Sequence, residues 1–196
     1  MISDVSAVVA RHDPAAWVRP LRYRSKDELP YDPGAVPADA PLLLDTTVYI
    51  DQLKGHLPAA LVALISSHAI VHGAPVLAEL AVTVGVLDPR DPRTATTLEP
   101  ILDTLRHIPP QRIISPSEDA WLEGAVLAGI LARTQGIAKG YRRKFLNDVL
   151  MFLLAAEASA ILISRNAHDV DLLLQMKPQV GTLLYERASI ADEQRP

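Results

Sequence analysis

Cysteine is absent from the 196 residues. That excludes disulfides, thiolate metal sites and cysteine nucleophiles, and it leaves the redox compartment open. A basic excess is also missing: 19 Lys and Arg stand against 23 Asp and Glu, a formal net charge of −4. No whole-protein field draws in a polyanion, so any nucleic-acid binding must come from a local patch. No apolar run nears the roughly 20 residues needed to span a bilayer. The longest candidate, Val149–Ile163, contains Glu157 and reads as a buried helix followed by a strand. Met1–Ala10 has no basic n-region and carries Asp4 inside its apolar stretch, so neither a secretory signal nor a membrane span is expected and the expected location is the cytoplasm. Internal repeats and low-complexity tracts are lacking as well.

What is present suits one folded domain with an added arm. Hydrophobic residues make up 49% and charged residues 21%, enough for a sizeable core, and domains usually run roughly 100–200 residues. Residues 1–41 differ from the rest. Pro14, Pro20, Pro30, Pro33, Pro37 and Pro41 forbid a long helix or a central strand between Asp13 and Pro41. An extended arm is expected there, pinned by Trp17 and Tyr23, with nothing catalytic in it. The domain proper is expected over 42–187, followed by a polar tail over 188–196.

Within the domain, short apolar runs alternate with helical patterns. Strands are expected at Leu42–Leu44, Ile70–His72, Arg112–Ser115, Ala160–Ser164 and Gly181–Tyr185. Helices are expected over Val48–Lys54, Pro58–Ser66, Pro75–Gly85, Thr94–Arg106, Pro116–Gln135, Asn147–Ser159 and Asp169–Met176. The helix after Pro116 would turn Trp121, Leu122, Val126, Leu127 and Ile130 inward. Gly136–Lys144 reads as a basic loop, with Asn147 capping the next helix. Strands alternating with helices predict an α/β fold, a parallel sheet with helices on both faces.

In such a sheet, chemistry gathers at the carboxyl ends of the strands. Four acids fall there. Asp45 ends the first strand, Glu79 sits in the helix after the second, Asp148 opens the helix before the fourth, and Asp169 follows the fourth. The structural alternatives are plain: Asp45 and Asp169 as helix caps, Asp148 as a first-turn acid facing the helix dipole. Glu79 resists such a reading, because Leu77-Ala78 and Leu80-Ala81 flank it and charged groups are seldom buried unpaired. Two unit charges ~4 Å apart repel by about 4 kcal/mol at an effective dielectric near 20. Four converging carboxylates therefore hold a proton or a cation. Oxygen donors without cysteine select Mg²⁺ or Mn²⁺, which activate water and stabilise a leaving oxygen in phosphodiester hydrolysis.

The residues that carry these acids resemble the motifs of the PIN-domain ribonucleases. Leu43-Leu44-Asp45-Thr46-Thr47 is similar to that family's opening strand, with Thr47 where the family often has Asn. Val76-Leu77-Ala78-Glu79-Leu80 resembles its second motif and Asn147-Asp148 before Val149–Ala160 its third. Ile161–Asn166 followed by Asp169 resembles its fourth, while Asp171-Leu172-Leu173-Leu174-Gln175 and Leu183-Leu184-Tyr185 fit its end. The resemblance spans Leu42 to about Arg187 and is nearest the VapC toxin branch. It implies a five-stranded parallel sheet, a Mg²⁺- or Mn²⁺-dependent endoribonuclease, a homodimer and a neutralising antitoxin. Asp45, Glu79, Asp148 and Asp169 would hold the metal. Thr46 or Ser164 would orient a carboxylate or water, and Asn166 would support them. Asp171 is the alternative fourth acid; Asp169 is favoured by its distance from Asn166.

Lys139, Arg142, Arg143 and Lys144 form a basic run before Asp148, suited to RNA phosphates or to a solvated loop. Tyr141 offers a ring for a base, Arg165 a possible phosphate contact, and His168 the histidine nearest the proposed site. Asp51, Asp119 and Glu123 are expected on solvated helix faces, and Glu157 is not a ligand. Four other readings compete. A haloacid-dehalogenase-type phosphatase needs an acid where Thr47 stands, and a receiver domain needs paired acids and a late lysine that are not found. A non-catalytic PIN-like module that binds RNA or a partner, and a nuclease acting on DNA, remain as alternatives.

Overall fold

A computed structural model describes residues 5–188. Residues 1–4 of the arm, and the expected polar tail from residue 189 on, lie outside the described residues. The fold is α/β, as the alternating pattern predicts. Five strands, β1 (Leu42–Leu44), β2 (Ile70–Gly73), β3 (Ile113–Ile114), β4 (Ile161–Ser164) and β5 (Thr182–Leu184), form one sheet in the order β3-β2-β1-β4-β5. Every pairing is parallel. Leu42 and Leu43 are fully buried, as expected of a central strand covered on both faces.

The chain runs outward from β1 through β2 to β3, then returns to β1's other side for β4 and β5. The winding therefore reverses between β1 and β4. At such a reversal the connections leave in opposite directions and open a crevice beyond the strand ends. Asp45 follows β1 and Arg165 follows β4, so both border that crevice.

Helices flank the sheet: α2 (Thr46–Leu53), α3 (Ala59–Ser67), α4 (Ala74–Val86), α5 (Pro92–His107), α6 (Glu118–Thr134), α7 (Arg142–Glu157) and α8 (Ala167–Met176). The core centres on α7, where Phe145, Val149, Leu150, Phe152 and Ala155 have no exposure. Gly73, the last residue of β2, lets α7 approach: a Cβ there would stand 2.5 Å from Met151 Sδ. That contact fixes where α4, and with it Glu79, meets the sheet.

Several expectations are corrected. A helix, α1 (Val5–His12), precedes the proline-rich stretch and buries Val8 against α6. Leu127 and Ile130 face inward on α6 as expected, with Ala120, Glu123, Gly124, Leu131 and Ala132 beside them, while Trp121 is 49% exposed. Close packing of α6 on α7 at Gly124, where a Cβ would meet Leu150 at 3.3 Å, leaves no room for a bulky ring on that face. Glu123 is buried rather than solvated, because His12 and Lys177 both reach its Oε1 at 2.6 Å. Asp51 is also fully buried, held by Arg165, Tyr185 and Arg187 at 2.7, 3.0 and 2.8 Å. Asp119 is exposed, as expected.

Residues 13–41 form nothing longer than the 3₁₀ turns Lys26–Glu28 and Pro33–Ala35. The segment lies on the domain. Leu184 N donates to Pro30 O at 2.7 Å, and Arg133 reaches the carbonyls of Pro14 and Trp17 at 2.8 and 2.9 Å. Trp17 is thus tied by its backbone.

Candidate active site

The four acids come to one place by different routes. Asp45 sits at the N-cap position of α2, yet its side chain makes no capping hydrogen bond. It accepts instead from Ser164 Oγ at 2.5 Å and Thr47 Oγ1 at 2.9 Å. Glu79, on the second turn of α4, accepts from Thr46 Oγ1 at 2.5 Å and Asn147 Nδ2 at 3.0 Å. Asp169, in the first turn of α8, accepts from Tyr141 OH and Asn166 Nδ2, each at 2.8 Å, and its Oδ1 lies 3.0 Å from His168 Nδ1. Asp148 differs from the other three: its Oδ2 is buried and no hydrogen-bond donor reaches it.

Electrostatics follow from that arrangement. Burial pushes Asp148 up, and the charges of Asp45, Asp169 and Glu79 push it further, to about 9. Burial also raises Asp45, although Ser164 and Thr47 oppose it. Burial raises Asp169 too, but the bonds from Asn166, His168 and Tyr141 outweigh it and hold that acid below its ordinary value. Without a cation, Asp148 keeps its proton at neutral pH and so relieves the repulsion.

Asp45, Glu79 and Asp148 line a cleft of about 460 Å³ together with Thr46, Lys144 and Arg165. Of the four expected phosphate-binding cations, Lys144 reaches this cleft. Arg142 borders a separate groove beside Ala125 and Arg133, and Lys139 and Arg143 are exposed. Tyr141 lines the cleft, and its hydroxyl is committed to Asp169.

The local frame corrects the sequence reading around Asp148. Helix α7 starts at Arg142, so Arg142, Arg143 and Lys144 form its first turn rather than the end of a loop. Asn147 is no cap; its amide holds Glu79. Asp148 lies in the second turn, away from the helix dipole's terminal field. Three cations at a helix N-terminus oppose that dipole, and so the boundary was hidden from capping rules. Asp171 neither joins the acids nor caps α8: it is 1% exposed and accepts from Arg24 N and Nε at 2.9 and 2.6 Å. The α8 cap is Asn166, whose side chain accepts from Asp169 N. Thr47 supports Asp45 from its motif position, whereas the contacts of Tyr141 with Asp169 and of Asn147 with Glu79 are ones that sequence reasoning missed, because no spacing signal marks them.

Among the described residues, no three His, Asp or Glu side chains form a ready cation cage. Three of the acids instead turn to neutral hydroxyl and amide donors, the arrangement expected of carboxylates that repel one another. The residues nonetheless fit a divalent cation. The donors are hard oxygens, and the buried Asp148 Oδ2 lacks a donor, as a ligand atom would.

No protein-family model and no curated protein sequence matches the chain. Solved structures do. A member of the VapBC family of toxin–antitoxin systems, VapBC-5 from Mycobacterium tuberculosis, is similar at 22% identity and a TM-score of 0.49, over 74% of this chain and 99% of the other. VapBC2 from Rickettsia felis, bound to a DNA fragment from its promoter, is similar at 19% identity and a TM-score of 0.49, over 74% and 99%. FitAB bound to an IR36 DNA fragment is similar at 19% identity and a TM-score of 0.48, over 73% and 94%.

Proposed function

We propose that the protein is a metal-dependent endoribonuclease that hydrolyses RNA phosphodiester bonds. The observation that carries this reading is Asp148: a buried carboxyl, one oxygen without a donor, facing the charges of Asp45, Glu79 and Asp169. Asp45, Glu79, Asp148 and Asp169 would hold Mg²⁺ or Mn²⁺, which would supply activation of water and neutralisation of charge at the phosphodiester. The chain's own residues prepare the site. Ser164 and Thr47 fix the Asp45 carboxylate; Thr46 and Asn147 fix that of Glu79. Lys144 and Arg165 line the cleft where phosphate charge would sit, and Asp51 holds the Arg165 guanidinium at 2.7 Å. The motif resemblance extends the proposal to a VapC-like toxin in the cytoplasm, with a protein antitoxin and a homodimeric state.

Purified protein incubated with a mixed structured RNA pool and Mg²⁺ or Mn²⁺ tests this. Cleavage is expected, and it should disappear with EDTA and in Asp45→Asn, whose circular dichroism spectrum should match the parent. Retained cleavage by Asp45→Asn would overturn the assignment. The missing preformed cage favours one rival, a non-catalytic RNA-binding module. RNA binding without cleavage, and without Mn²⁺ binding, is the outcome that rival requires. Cleavage of DNA in place of RNA would favour the other.

A further inference from the structure

We propose that the N-terminal arm completes the substrate site, with Tyr23 and His168 forming an aromatic platform at the cleft rim on which an unpaired base of the single strand stacks. The proposal rests on the nuclease reading above and assigns the arm a part in it.

Tyr23 is clamped on both sides. The carbonyl of Arg22 accepts from Gln175 Nε2 at 3.1 Å, and Arg24 donates from N and Nε to the buried Asp171 at 2.9 and 2.6 Å. Gln175 also holds Asp171 Oδ1 at 3.1 Å, so one α8 network fixes both neighbours of Tyr23. The anchoring is done by these groups. The Tyr23 ring itself stays 48% exposed, which is not how a ring that pins a segment by burial behaves.

The ring instead meets His168. The two centroids are 4.2 Å apart at an interplanar angle of 34°, and the hydroxyl lies 3.4 Å from His168 Nδ1. His168 is a wall of the acidic cleft, so Tyr23 adds one ring beyond that wall. Unpaired bases are held by stacking on Tyr and His rings, and the contact tolerates any base because each has a π-face. A protein with net charge −4 and two cations in its cleft gains little long-range attraction for a strand. A stacking platform supplies grip without charge, beside the acids that would hold the metal.

The test is fluorescence anisotropy with a short labelled single-stranded RNA and Mg²⁺, on the full chain carrying Asp45→Asn to bar cleavage. Adding Tyr23→Ala should weaken binding about 5- to 150-fold, the loss of one stacked base, while Tyr23→Phe, which keeps the ring, should bind like the parent. An abasic site moved along the RNA should weaken the parent at one position and cost the Tyr23→Ala protein nothing there. Equal affinity of parent and Tyr23→Ala, with identical abasic profiles, would overturn the platform and leave the nuclease reading standing. No RNA binding by the parent, together with no cleavage by the unsubstituted chain, would remove both.

Discussion

Asp148 makes a pH test possible at the scale of one residue. Its carboxyl is raised to about 9 by burial and by three neighbouring acids. A folded-state value above the unfolded one means the native state binds the extra proton. The stability this gives is present in full below the unfolded value, near 4, and is lost as pH rises toward about 9. In EDTA, thermal midpoints should therefore fall with pH across that window. Asp148→Asn should flatten the slope and raise metal-free stability near pH 8 by on the order of a few kcal/mol. Added Mn²⁺ should reverse the loss in the parent, by about 2.7 kcal/mol at a hundredfold excess over Kd, and do little for Asp148→Asn. Thermal melts with and without EDTA decide this, and a pH-independent metal-free midpoint would count against the buried-acid account. Asp45 and Glu79 stood out in the sequence because a strand end and an apolar flank marked them. The contacts of Tyr141 and Asn147 were not legible, since a hydroxyl or amide that reaches across the fold leaves no local pattern.

Among the elements, β2 and α7 depend on each other through one glycine. Gly73→Ala would force its Cβ to within 2.5 Å of Met151 Sδ, with Leu154 at 3.2 Å behind it. Overpacking of this kind costs typically about 1–3 kcal/mol, and the flexible Met151 side chain sets the loss toward the lower end. The shift should appear as a lower denaturant midpoint with an unchanged m-value. Because α4 starts at Ala74, the same change should weaken Mn²⁺ binding through Glu79. The elements were largely legible, since strand runs such as Leu42–Leu44 are apolar and short. The exceptions have physical causes. Helix α1 precedes the prolines and buries only Val8, too weak a stripe to register. Helix α7 begins on three cations, against dipole preference, and is held there by the buried Phe145.

For the whole molecule, the charge balance sets how nucleic acid would bind. With no net positive field, the salt dependence should be shallow and should trace to the cleft. Each phosphate neutralised on a single strand contributes a slope of about −0.7 in log K against log salt. Lys144→Ala should reduce the magnitude of the slope by about that amount. Arg142→Ala, in its separate groove, should leave it unchanged. Anisotropy titrations over a salt series measure both, and equal effects would show that the basic run acts as one patch.

The sequence by itself determined the α/β class and the parallel strands, because hydrophobic period and strand-end position are local properties that survive without knowledge of the fold. Tertiary structure alone decided the rest. It placed Asp51 and Glu123 in buried ion-pair knots, gave Asp171 to the arm rather than to the acids, and left Asp148 Oδ2 without a donor. Each of these depends on partners distant in the chain, such as Arg24 for Asp171 or Lys177 for Glu123. Whether a carboxylate is solvated, paired or stranded is fixed by which chain segment folds over it, and no local pattern encodes that.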